Sequence, residues 1–223
     1  MTHVRAPAPR PSHRLIPSRF PPIALFERVA TAADLEAVME LVGWTNDRLV
    51  AHRVARLPRD EWVYGRPNAS IVMASFLHVA PGGSRFNGPD LGAWYAAAAI
   101  RTAVAEVGHH LRREAAARGE PSLTRVFRAY EATLQGAYVD IRGQAAERPD
   151  LYAGTSTAAA QSFGEGLRAA GEDGILYDSL RHAGGENVAA YRPSRIRDVV
   201  QADHWEIIVR AGEKRIAARR LRG

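Results

Sequence analysis

The chain has 223 residues, an ordinary apolar fraction of 46%, no cysteine and a formal net charge of +6. That length suits one domain with its own core, and the composition excludes global disorder, disulfides and thiolate metal sites. The charge does not mark a nucleic-acid binder: residues 1–22 carry four arginines and no acid, residues 210–223 a net of +5, and the body between them is −3, whereas a phosphate-tracking groove puts its excess charge on the folded body.

No apolar stretch follows the basic N-terminus as it would in a signal peptide. The longest uncharged run, 67–84, is broken by Asn68, Ser70, Ser75, His78 and Pro81, so it falls short of the roughly 20 mostly apolar residues that span a membrane. A cytoplasmic protein without membrane contact is expected. Residues 1–11 are rich in Pro and Arg without periodicity and predict a disordered basic tail; residues 218–223 predict a second basic tail. Thr31 with Asp34 three residues on forms a capping-box pattern, and Leu35, Val38, Met39 and Val42 recur as one helical face. The apolar run 71–79 predicts a strand, and the glycines and prolines of 81–92 a loop. A strand over 93–98 precedes a helix over 102–117, whose apolar row is Ile100, Val104, Val107 and Leu111. Strands follow at 124–134 and 137–141, then a helix capped by Ser156 that ends at Gly171. A buried strand at 174–178, a turn at Gly184-Gly185, and strands at 187–191 and 204–210 complete an α+β pattern.

Few residues stand out for chemistry on position alone. Glu106 lies in the first turns of its helix, where the helix terminus favours an anion, although a lone helical Glu is ordinarily a solvated surface group. Arg85 sits in Gly82-Gly83-Ser84-Arg85-Phe86-Asn87-Gly88. Glycines there let backbone approach a ligand, and Arg offers a fork to phosphate or carboxylate, yet no Gly-Lys-Ser/Thr follows to make a phosphate loop. Ser179 ends a strand, and no Gly-x-Ser-x-Gly elbow supports a triad with His182 or His204. His109 and His110 are adjacent; on a helix they point about 100° apart and do not easily share a metal ion.

In order along the chain, these segments resemble the RES domain, over 12–217. His13-Arg14-Leu15-Ile16-Pro17-Ser18-Arg19-Phe20 is similar to the family's opening, with His13 where an aromatic usually precedes the Arg. Gly83-Ser84-Arg85-Phe86-Asn87 resembles its Gly-Gly-Arg-Trp/Phe-Asn loop. Trp94-Tyr95-Ala96-Ala97 and Thr102-Ala103-Val104-Ala105-Glu106 resemble its Tyr-x-Ala strand and Thr-Ala-x-x-Glu helix. Gly174-Ile175-Leu176-Tyr177-Asp178-Ser179-Leu180-Arg181 resembles its Gly-Ile-x-x-Pro-Ser-x-Arg strand, with Asp178 in place of Pro, and Gly184-Gly185-Glu186-Asn187 its Gly-Gly-x-Asn element.

The resemblance implies an ADP-ribosyltransferase-like fold of mixed sheets with flanking helices, and the toxin of a bacterial toxin–antitoxin pair. It implies cleavage of the nicotinamide–ribose bond of NAD+, as phosphorylase or glycohydrolase, with NAD+ as substrate, inorganic phosphate as a candidate co-substrate, and no cofactor or metal. It further implies an Xre-type helix-turn-helix antitoxin as partner, in a complex of higher order. Glu106 would face the oxocarbenium-like centre, as carboxylates do in glycosidases, with Arg85 and Ser179 beside it. Arg85 and Arg14, with Arg19 taking part of the Arg14 role, would pair with the diphosphate or an attacking phosphate; Ser179 would orient the ribose or the glutamate, Tyr95 would stack on nicotinamide, and Arg181 and Asn187 complete the binding set. Three other readings compete: ADP-ribosyl transfer to a protein target, a non-enzymatic nucleic-acid-binding module using the basic ends, and a catalytically dead structural relative, against which the retained Arg, Tyr, Glu and Ser positions argue.

Overall fold

A computed structural model describes residues 3–20, 24, 26–31, 33–34, 52–154 and 157–221. The strands are β1 (Arg5–Ala6), β2 (Ser12–Pro17), β3 (Trp94–Ala97), β4 (Ser122–Leu134), β5 (Tyr138–Asp140), β6 (Gly174–Asp178), β7 (Glu186–Ala190), β8 (Ile196–Arg210) and β9 (Ile216–Leu221). They form one mixed sheet in the order β1-β5-β6-β7-β3-β2-β4-β8-β9, with β5 and β6 parallel and the other neighbours antiparallel. Helices α1 (Ala69–Leu77), α2 (Ile100–Ala117) and α3 (Ala158–Ala169) flank it. The architecture is α+β, as the run of strands in the sequence predicts.

Strand alternation sorts the side chains into two faces. Trp94 and Ala96 of β3, with Val188 and Ala190 of β7, pack against Met73, Phe76 and Leu77 of α1. On the other face α2 and α3 cover separate patches. Leu15, Ala97, Phe127 and Ile207 meet Ala103 and Leu111 of α2, while Ile175, Tyr177 and Ala189 meet Ala160 and Leu167 of α3. The α2 apolar row packs as its spacing predicts: Leu111 is buried, and Ile100, Val104 and Val107 lean on the same cluster. A seam is left between the α2 and α3 patches; Asn187 and Tyr177 project into it as a cross-strand pair of β7 and β6, and Tyr95 of β3 joins them on the same face, opposite Ala189.

Four expectations need correction. The run 71–79 is helical over Ala69–Leu77, not a strand; eight of its nine residues are buried, and a helix enclosed on all sides shows no amphipathic period. Arg5–Ala6, within the expected disordered tail, pairs with Tyr138 and Val139, and Arg5 forks onto Glu172 at 3.0 and 2.5 Å. The strand expected at 204–210 starts at Ile196, and residues 218–221 of the expected basic C-terminal tail are instead part of a further strand, Ile216–Leu221, that returns along it. The basic residues of that return are compensated, Arg219 by Glu206 at 3.0 Å and Arg220 by Asp203 at 2.7 Å. The capping box does form: Thr31 Oγ1 and N both donate to Asp34 Oδ2, and Asp34 N donates to Thr31 Oγ1. Leu35, Val38, Met39, Val42 and Ser156 lie outside the described residues; α3 begins after Thr157.

Candidate active site

Two loops and one helix converge on the seam. The first loop is 82–88. Gly83 has φ of 70°, and a Cβ there would lie 2.3 Å from the Asn87 carbonyl oxygen, so only glycine closes this turn, in which Ser84 bridges Asn87. From α3, Gln161 Nε2 donates to the carbonyls of Gly82 at 2.8 Å and Ser84 at 2.9 Å, and Glu165 Oε1 accepts from Gly88 N at 2.8 Å. From the sheet, the Tyr95 hydroxyl donates to Oδ1 of buried Asn87 at 2.8 Å and accepts from Phe86 N at 3.0 Å. Burial raises the Tyr95 phenol above its ordinary range and keeps it protonated for that donation. The loop is thus fixed on both sides, and Arg85 is left over. Half-buried, it stands 5.7 Å over the Tyr177 ring and 6.0 Å over Phe86. Among the described residues no carboxylate or carbonyl takes its guanidinium, which makes it ready for an anionic ligand.

The second loop, 179–185, leaves the end of β6. Ser179 N donates to the Gly185 carbonyl at 2.8 Å. Its Oγ accepts from the backbone N–H groups of Arg181 and His182, at 3.1 and 3.0 Å, and donates to Glu106 Oε1 at 2.7 Å. Asn187 Nδ2 donates to the same Oε1 at 2.8 Å, and Asn187 is only 3% exposed. One helical turn earlier, Thr102 Oγ1 meets His182 Nδ1 at 2.8 Å, so the loop is tied to α2 at two points. Glu106 is the seventh residue of α2, beyond the first turn where a helix terminus acts. Ser179 and Asn187, rather than the helix end, orient it. Oε2 accepts nothing among the described residues and is the oxygen left for a ligand.

The sequence-derived set therefore divides. Glu106, Ser179, Asn187, Tyr95 and Arg85 come together, and Arg181 lies on the exposed rim, where Glu106 and Arg85 both act on its charge. Arg14 belongs to the other face. Its neighbour Leu15 packs under α2, so alternation sends Arg14 toward Trp94, 4.9 Å over that ring. Its Nη1 donates to the Tyr95 carbonyl at 2.7 Å, and burial lowers its pKa to about 10. Arg19 is exposed against Phe20 and acts on Glu114, about 12 Å along α2 from Glu106 at 1.5 Å per residue; the structure does not bring it to the site. The sequence reading set His182 aside with the triad and missed Gln161 and Glu165. His182 lies three residues after Ser179 and Thr102 one turn before Glu106, a spacing that pairs them; Gln161 and Glu165 carry no such signal.

Among the described residues no group of three or more His, Asp or Glu has the arrangement of a metal site. His109 is pushed down to about 4 by burial and by Arg181, His110, Arg112 and Arg113, surroundings that repel a cation. No helix among the described residues is long and apolar enough to cross a membrane.

The chain belongs to the RES domain family, whose model matches residues 50–210. It is similar to the uncharacterized protein y4oC of Sinorhizobium fredii (strain NBRC 101917 / NGR234), 37% identical over 82 residues that span 33% of this chain and 32% of that protein. Among solved structures, a chain of the M. tuberculosis MbcT–MbcA toxin–antitoxin complex is similar at a TM-score of 0.41 and 21% identity, over 55% of this chain and 73% of that one.

Proposed function

We propose that this chain cleaves the nicotinamide–ribose bond of NAD+ and is the toxin of a toxin–antitoxin pair. The observation that carries the reading is the Glu106 carboxylate: one oxygen is held by Ser179 and Asn187, while among the described residues the other accepts nothing and Arg85, over the Tyr177 ring of the same seam, has no ion-pair partner. The glycosidic C–N bond breaks with its electron pair on the nicotinamide nitrogen, which becomes neutral. Positive charge then spreads over the ribose carbon and ring oxygen. A fixed carboxylate at that centre is stronger in the transition state than in the ground state, which is the condition for accelerating the step. Water, releasing a proton to solvent, or inorganic phosphate supplies the oxygen that bonds to the ribose carbon, giving ADP-ribose or its 1″-phosphate. Arg85, with Arg181 at the rim, binds the diphosphate or the incoming phosphate, and Tyr95 offers its ring to nicotinamide. Arg14 acts behind the site, holding the Tyr95 backbone. A helix-turn-helix antitoxin that keeps the enzyme in check in the cytoplasm belongs to the same reading.

The test is the purified chain, freed of any partner, incubated with NAD+ with and without phosphate, its products separated by chromatography. Free nicotinamide with ADP-ribose or the 1″-phosphate is the expected result. NAD+ left intact by folded, partner-free protein overturns the reading. Radiolabel passing from NAD+ to protein instead transfers the case to ADP-ribosylation.

A further inference from the structure

We propose that Tyr177 is a further substrate-binding residue, whose phenol donates to the ribose hydroxyl that Glu106 accepts from. The inference rests on the NAD+ reading above and adds a contact to it. Tyr177 is directly opposite Asn187 in the β6–β7 register, so both side chains rise from the same face into the seam. Its ring is fixed: it meets Phe86 edge to face at 4.8 Å and 66°, and Arg85 lies 5.7 Å over it. The residue is only 7% exposed. A buried phenol ordinarily finds a hydrogen-bond partner, and its neighbours do: Tyr95 on Asn87 Oδ1, Tyr152 on the Ile141 carbonyl, Tyr191 on the Phe86 carbonyl. Among the described residues the Tyr177 hydroxyl has none.

Asn187, across the β6–β7 pair from Tyr177, holds Glu106 Oε1, so phenol and carboxylate share the seam; burial raises the phenol's pKa and keeps it protonated, hence a donor. Glu106 Oε2 is the complementary acceptor, without a donor among the described residues. A sugar hydroxyl between them satisfies both, donating to Oε2 and accepting from Tyr177. The ligand group this pair selects is a hydroxyl of the ribose that carries the leaving group.

Tyr177→Phe removes the hydroxyl and keeps the ring that carries Arg85 and packs on Phe86. The melting temperature is expected to stay as it is, since no protein partner is lost. kcat/KM for NAD+ is expected to fall about five- to tenfold, the worth of one neutral hydrogen bond, and ADP-ribose to bind weaker by a similar factor. With NAD+ deoxygenated on the nicotinamide ribose, variant and wild type should converge. Equal kcat/KM and equal ADP-ribose affinity in an active wild-type background overturn the Tyr177 assignment and leave the cleavage reading standing. A melting temperature lowered by several degrees also overturns it, because the hydroxyl then serves the fold. A wild-type chain that neither cleaves NAD+ nor binds ADP-ribose takes down the reading and the assignment together.

Discussion

The two donors on Glu106 Oε1 make a sharp prediction about how the carboxylate is held. Ser179→Ala removes a 2.7 Å hydrogen bond and strands the backbone N–H groups of Arg181 and His182. Asn187→Ala removes a 2.8 Å bond from a side chain 3% exposed. Each is a hydrogen bond to a charged group, worth about 1.5–3 kcal/mol, so each variant should lose roughly 10- to 150-fold in kcat/KM at about 1.4 kcal/mol per decade. Because both act on one oxygen, their effects should not add: the double variant should depart from the sum of the singles by at least about 0.5 kcal/mol. Asn187→Ala should also lower the melting temperature, by about 2–4 °C for each kcal/mol lost in a chain of this size, since it empties a buried position. The assay is nicotinamide release from NAD+ by the four proteins of the cycle, with melting curves alongside. Strictly additive losses, or full activity in the double variant, would refute the idea that these residues orient Glu106.

Arg85→Ala should raise KM for NAD+ about tenfold or more while leaving the melting temperature unchanged, because the guanidinium has no ion-pair partner among the described residues; a large stability loss in thermal unfolding would contradict this. Glu61, 4% exposed, accepts from Arg192 Nε at 2.5 Å and from Ser194 N and Oγ at 3.1 and 2.6 Å, so Glu61→Ala should cost about 3 kcal/mol and lower the melting temperature by about 6–12 °C. Burial pushes the Glu61 carboxyl up, but the Ser194 and Arg192 hydrogen bonds outweigh it and the net shift is downward. Its contribution is therefore complete above the unfolded value near 4.3 and lost as pH falls through the lower folded value. Thermal unfolding from pH 7 to pH 3 should show wild type and Glu61→Ala converging at the acid end, and a constant gap would count against the ion pair.

The parts of the fold legible in the sequence are those with a one-sided pattern. α2 has a polar outer face and an apolar row, and β6 is a short apolar run between turn residues, so both announce themselves. α1 does not, because Ala69–Leu77 is enclosed almost all round and its run of apolar residues suits strand and helix alike. The end strands were obscured by charge: Arg5, Arg219 and Arg220 look like tail residues until their partners Glu172, Glu206 and Asp203 are brought across from distant positions. In the site, Glu106, Arg85, Ser179 and Asn187 were legible through motif order, which no single spacing supplies. Arg14 and Arg19 show the limit of that order. Proximity in sequence to a family element says nothing of which face of β2 a side chain takes, and one residue of register decides it.

The central claim is that Glu106 is the carboxylate at the reacting centre. Glu106→Gln tests it most directly, because the amide oxygen can still accept from Ser179 and Asn187 while the charge is gone. Glu147→Gln, on an exposed loop, is the control. Nicotinamide release from NAD+ should fall about 10²–10³-fold in Glu106→Gln with the melting temperature and ADP-ribose binding near wild type, and remain normal in Glu147→Gln. Near-normal turnover by a folded Glu106→Gln protein would contradict the account.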